Sequence, residues 1–152
     1  MYLKGYRDKH SNLYIIPVFI HNKIIVSNKI EFVIDTGASQ TTLSIRDAMN
    51  LSLLSFNDKT FELTHNFDCD IEKTHTGNGI IDVLKLDEVF FTFYVNETSY
   101  FVEYLDTIHI IKPIIKSKED YDGIIESPSV LGMDILKNYK IQFVEDMVLL
   151  ER

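Results

Sequence analysis

The chain has 152 residues, 45% of them apolar and 12% aromatic, with a formal charge of −8 and one cysteine. That composition supports a packed core and excludes a disulfide within the chain; no stretch reaches the length of a membrane helix, and the acidic balance argues against phosphate binding. One domain over 1–152 is therefore expected, with no nucleic-acid partner, no membrane and, since the N-terminus lacks the order of a signal peptide, a cytoplasmic location.

In chain order the signals are mostly those of strands. Leu13 to Ile20 is an apolar run interrupted by Pro17. His21-Asn22-Lys23 then breaks it before Ile24 to Val26, which predicts a hairpin. Lys29 to Ile34 is nearly all apolar after Glu31, as a strand buried on both faces would be. Thr41 to Ile45 reads as a short β-branched strand, and Arg46 to Leu51 as one or two helical turns. Phe56 to Asp70 gives no clear pattern. Asn78-Gly79 is a strong turn signal. Asp87 to Val95 and Tyr100 to Ile111 are long strands joined by a turn at Asn96-Glu97-Thr98, a glycosylation sequon that without export is simply a turn. Lys112 to Asp122 is polar, holds Pro113 and reads as a loop. Val130-Leu131-Gly132 precedes the helix-like Met133 to Tyr139, and Lys140 to Val144 and Met147 to Leu150 are the last strands. The apolar end of the chain reads as an exposed edge open to pairing with a second copy.

The chemistry centres on Asp35, a carboxylate ending an apolar strand and followed by the small residues Thr36-Gly37-Ala38-Ser39. Phe32-Val33-Ile34-Asp35-Thr36-Gly37-Ala38-Ser39 resembles the active-site signature of aspartic peptidases. Val130-Leu131-Gly132-Met133-Asp134 and the helix after it resemble a second segment of the retropepsin-like branch, in its non-viral form. With the glycine-rich turn between them, the likeness spans roughly Leu13 to Leu150 and is far more specific than Asp-Thr-Gly alone.

The resemblance implies an all-β, retropepsin-like (acid protease) barrel with one or two short helices. It also implies an aspartic endopeptidase that needs no metal and no organic cofactor. Such enzymes activate water between two carboxylates that share a proton, because like charges held close cannot both ionise; the aspartic-peptidase dyad is itself the standing example of this. The chain holds one Asp-Thr-Gly. The second carboxylate is then Asp35 of another copy, facing the first across the two-fold axis of a homodimer.

By the same likeness Thr36 bonds across the dimer and Gly37 lets the backbone approach the substrate. Ala38 and Ser39 line the cleft. Thr76-Gly77-Asn78-Gly79 form the tip of a mobile flap over an extended peptide or unfolded protein, and Leu131 and Gly132 support the site. Where acid-optimum relatives carry a serine that hydrogen-bonds the carboxylate, this chain has Ala38, which implies a mildly acidic to near-neutral optimum. The retroviral form carries Gly-Arg where this chain has Gly132-Met133, and an Asp where it has Ser39. Asp134, at a helix start, is read as structural.

Other signals carry less. His65, Cys69 and His75 match no closed zinc module. Cys69 alone does not make a nucleophile. Phe90, Phe91, Phe93, Tyr94, Phe101 and Tyr104 suit a two-sided core or a subunit interface. The rival function is a non-catalytic module of the same fold that binds a peptide or partner.

Overall fold

The computed structural model describes residues 2–77 and 79–152. Its strands are β1 (Tyr2–Arg7), β2 (Tyr14–His21), β3 (Asn28–Ile34), β4 (Leu54–Asn57), β5 (Glu62–His65), β6 (Ile71–Thr76), β7 (Gly79–Tyr94), β8 (Tyr100–Lys112), β9 (Ser129–Leu131), β10 (Lys140–Val144) and β11 (Met147–Glu151). The helices are α1 (Ile45–Asn50), α2 (Lys118–Ile125) and α3 (Met133–Leu136).

Period-two alternation does most of the work. In β2, Ile16, Val18 and Ile20 are buried, while their neighbours are only partly so. Pro17 is tolerated for a local reason. On one edge β2 pairs with β1 up to Ile15 and with β7 from Phe19, so a residue without an N–H falls between two ladders. On its other edge β2 pairs with β3 from Ile15↔Val33 to Ile20↔Asn28. The hairpin thus closes on β3 rather than on Ile24 to Val26. Asn22 explains the difference: its side-chain oxygen accepts from the N–H groups of Ile24 and Ile25 at 2.9 and 2.8 Å, turning the chain before it can extend.

The main sheet runs β10-β11-β1-β2-β3-β9, with β7 branching from β2 and carrying β6 and β8. β4 and β5 form a separate hairpin, within the stretch that had no clear pattern. The fold is mostly β and matches the all-β expectation, with three differences in detail. Lys112 to Asp122 is not all loop, because α2 begins at Lys118. Ser117 caps it, accepting from Asp120 N–H at 3.1 Å, with Glu119 and Asp120 in the first turn. β11 is not an exposed edge either. It lies between β10 and β1, paired with both over five positions each, and Val148 and Leu150 are fully buried. Thr41 to Ile45 also differs from expectation: Thr42 alone forms bridges, and Ser44 caps α1.

The core is one apolar cluster that includes Phe32, Phe91, Phe93, Leu131 and Leu136. The long β7–β8 ribbon reaches it in an unusual way. In its first half Leu84 and Leu86 are buried; in its second half Val89, Phe91 and Phe93 are. The buried parity changes at Glu88, which sits at φ 54°. β8 changes with it, burying Ile108 and Ile110 on one face and Glu103 on the other. Left-handed backbone at Glu88 rolls the ribbon so that each half turns its own apolar face inward.

Buried Glu103 is satisfied by Tyr139 Oη, which donates at 2.7 Å, by Asn138 Nδ2 at 3.2 Å and by Arg152 at 3.3 Å. Burial first, then the Glu103 bond, holds the Tyr139 phenol well above its ordinary range. A raised folded value means stability that is present at neutral pH and lost as pH climbs past about 10, where a free tyrosine ionises. Wild type should therefore lose stability in denaturant titrations above that pH. Tyr139→Phe should start less stable by about 1–2 kcal/mol and lose less over the same range. A second expectation concerns Glu88: Glu88→Gly removes the left-handed penalty and should stabilise the fold by about 1 kcal/mol, read as a higher melting temperature.

Candidate active site

Asp35 follows directly on β3, whose last residues Phe32, Val33 and Ile34 are buried. β3 pairs in parallel with β9 through Phe32↔Ser129, Val33↔Val130 and Ile34↔Leu131. The chain then loops back so that Thr42 pairs antiparallel with Val130. β9 is thus held between two segments that are close neighbours in sequence. Asp35 N–H donates to Leu131 O at 3.2 Å, which ties the start of the loop to the end of β9.

The loop is built around its carboxylate. Gly37 N–H donates to Asp35 Oδ1 at 2.8 Å, and Ala38 N–H to Asp35 O at 3.2 Å. A Cβ at Gly37 would stand 3.1 Å from that same Oδ1. Glycine here lets the backbone close on the carboxylate, a constraint internal to the loop. Asp35, Thr36, Gly37 and Ser39 are exposed and Ala38 is half-buried.

Gly132 fits under the loop. A Cβ there would lie 2.5 Å from the carbonyl carbon of Gln40 and 3.0 Å from Ala38 O. Both obstacles are backbone, so a side chain could enter only by displacing the loop. Thr41, fully buried, completes the crossing: its Oγ1 donates to Asp134 Oδ1 at 2.6 Å and accepts from Gly132 N–H at 3.0 Å. Its N–H donates to Asp134 Oδ2 at 2.8 Å. Met133 N–H donates to Ala38 O at 2.8 Å. Asp134 is therefore a clamp between α3 and the loop, a structural role as expected, although the residue it holds, Thr41, lies 93 positions away. Leu131 is fully buried beside it.

A second crossing fixes α1. Ser44 Oγ accepts from Asp47 N–H at 3.1 Å, Ser44 N–H donates to Ser129 Oγ at 2.9 Å, and Ser129 Oγ donates to Asp47 Oδ2 at 2.6 Å. Thr41, Ser44, Asp47 and Ser129 were not read from the sequence as site residues. Short polar side chains are common in loops, and only the fold brings these together.

The flap expectation falls on the β6–β7 hairpin. Thr76 pairs with Gly79, and Thr76 Oγ1 donates to Gly79 O at 2.9 Å. Gly79 sits at φ 120°, where glycine is needed. Gly77 is exposed, and Asn78 lies outside the described residues. β6 is exposed along its whole length, so the hairpin projects from the core as an arm. Beneath it, a cavity of about 500 Å³ is lined by Thr76 and Ile81 on the arm and by Pro113, Ile114 and Ile124 opposite.

The fold is retropepsin-like, and it is seen in a solved structure. The chain is similar to a retropepsin-like aspartic protease from Rickettsia conorii, at a TM-score of 0.51 and 21% identity, covering 99% of this chain and 90% of that one. No family model and no curated protein matches the chain.

The crossing at Gly132 yields a sharp expectation. Gly132→Ala should destabilise the protein by about 1–3 kcal/mol, because the added methyl meets backbone that cannot step aside. Chemical denaturation would check it, and a loss below about 0.5 kcal/mol would show that the loop gives way easily.

Proposed function

We propose that this chain is an aspartic endopeptidase that works as a homodimer, each subunit supplying one Asp35. The observation that carries the reading is the loop at Asp35. An exposed carboxylate is held by its own backbone, with glycine at Gly37 and a rigid crossing beneath it. Retropepsin-like architecture in a solved neighbour supports it.

In the proposed reaction a water lies between the two Asp35 carboxyls, one ionised and one protonated. The ionised group takes a proton from the water as its oxygen attacks the scissile carbonyl carbon. The protonated group gives its proton to the carbonyl oxygen. The tetrahedral diol then collapses: the C–N bond breaks, the amide nitrogen takes a proton, and a carboxylic acid and an amine are released. Protons move within the pair, so neither carboxyl owns one role. Thr36 bonds across the axis in this reading. Ala38 and Ser39 form the cleft floor, and the hairpin arm with Thr76, Gly77 and Gly79 closes over an extended peptide by strand addition.

Cleavage of a mixed peptide pool by wild type and by Asp35→Ala, from acid to neutral pH, tests this, with mass in solution measured on the same samples. The expected result is a set of products made only by wild type, with activity rising steeply with subunit concentration. The rate should peak at mildly acidic to near-neutral pH, given Ala38. Asp35-independent cleavage, or no cleavage by a sample shown to be dimeric, would overturn the proposal and favour the binding module.

A further inference from the structure

The outward face of β2, β7 and β8 carries aromatic rings that the core does not use. Cross-strand register puts His21, Phe90 and Tyr104 in one row. His21 stacks on Phe90 at 5.2 Å and 12°, and Phe90 meets Tyr104 at 5.1 Å. Further along, Tyr94 contacts both Phe19 and Tyr100. Phe90, Tyr94, Tyr100 and Tyr104 are 37%, 53%, 59% and 45% exposed. Rings this open on a monomer surface mark a site of contact.

At the His21 end the face opens into a cleft of about 570 Å³, lined by His21, Asn22, Lys23, Glu88, Phe90 and Tyr104. Its lining sets one carboxylate against one ammonium, and further carboxylates stand close by. Glu88 is in the wall, Asp87 is exposed beside it, and Asp106 lies near the Tyr104 phenol, so carboxylates outnumber cations around the rings. Lys23 is the one cation in the lining. Ring faces are negative at their centres, and carboxylates beside them add to the same field. A phosphate would be repelled from such a place, whereas a cation gains from both components.

We propose that this cleft binds an arginine side chain of an extended basic segment in a partner protein, the guanidinium lying over Phe90 and Tyr104 and paired with Glu88. Arginine fits better than lysine because its planar, weakly hydrated head stacks on a ring while still donating to a carboxylate. The remaining rings, Tyr94 and Tyr100, offer flat contact for the neighbouring peptide backbone. The site is separate from the Asp35 loop and does not depend on catalysis.

The test uses the 152-residue chain carrying Asp35→Ala, so that no probe can be cut by Asp35, with wild type in parallel. A fluorescein-labelled nonapeptide of Arg-Ser-Gly repeats is titrated by anisotropy against the same peptide with citrulline for arginine, and against a short oligouridylate. Saturable binding of the arginine peptide is expected. It should be weaker by about tenfold for citrulline, for Phe90→Ala and for Glu88→Gly. Glu88→Gly is the decisive variant, because the fold predicts that it melts no lower than the parent, so lost binding cannot be ascribed to unfolding. Equal binding of the two peptides, no binding of the arginine peptide, or unchanged binding by both variants would overturn the proposal. So would preference for the oligouridylate. A dimer that becomes a monomer in Phe90→Ala would instead make this face a contact between copies and would equally overturn it.

Discussion

The close passage of Gly132 beneath Gln40 and Ala38 is the constraint on which the rest of the site depends. Two stretches of backbone approach there until not even a methyl group fits between them. Approach that close would leave polar groups stranded unless they were bonded across the crossing, and they are. Asp134 takes both donors of Thr41, Thr41 takes the N–H of Gly132, and Ala38 takes the N–H of Met133. Hydrogen bonds to a carboxylate are the stronger kind, and Thr41 is fully buried. The loop bearing Asp35 is thereby fixed at both ends, by Leu131 O at its start and by the Asp134 clamp at its close. Such a support holds the exposed carboxylate in one place within a single subunit, which is what the proposed two-subunit site would draw on.

A second constraint governs the ribbon. β7 and β8 are long enough to serve both the arm over the cavity and the wall of the core, yet a straight ribbon can bury only one face. Glu88 resolves this by taking left-handed backbone, which changes the buried parity from Leu84 and Leu86 to Val89, Phe91 and Phe93. The same turn leaves Phe90 and Tyr94 facing solvent and sets a carboxylate at the head of their cleft. A residue strained for the sake of the fold thus also shapes the outer surface.

Much of this was legible in the sequence, and what was not has physical reasons. Asp35-Thr36-Gly37 and Leu131-Gly132 were legible through their combined resemblance to the aspartic-peptidase signature, since Asp-Thr-Gly alone recurs by chance. Buried strands such as Lys29 to Ile34 showed in their apolar runs. α2 was missed because it buries no residue and so has no apolar stripe to read. Its one signal was Ser117 three positions before Asp120, a helix-start pattern set in a polar stretch. The Glu88 reversal was invisible, since alternation on either side of it looks regular and only the partner strands reveal which side is inward. The polar set Thr41, Ser44, Asp47 and Ser129 depends on contacts across more than eighty positions for most of its bonds, and no local pattern encodes such contacts.

The ends of the chain bear on how two copies could meet. β11 read as a free apolar edge because Met147 to Leu150 is apolar and terminal. The structure gives it two partners from its own subunit, with β1 drawn from the other end of the chain. Every N–H and C=O along β11 that could template a second copy is then facing a ladder already formed. β10 is the outer strand of this sheet, and Phe143 and Val144 on it remain open. For the proposed peptidase, association through exchanged terminal strands would require breaking an intact sheet that buries Val148 and Leu150. In the proposed dimer, the surfaces left free in the single subunit are the ones open to pairing, among them the exposed Asp35 and Thr36 and the outer edge of β10. Pairing through such surfaces would leave the sheet of each subunit intact, so in the proposed peptidase the dyad would exist only while two folded copies are held together.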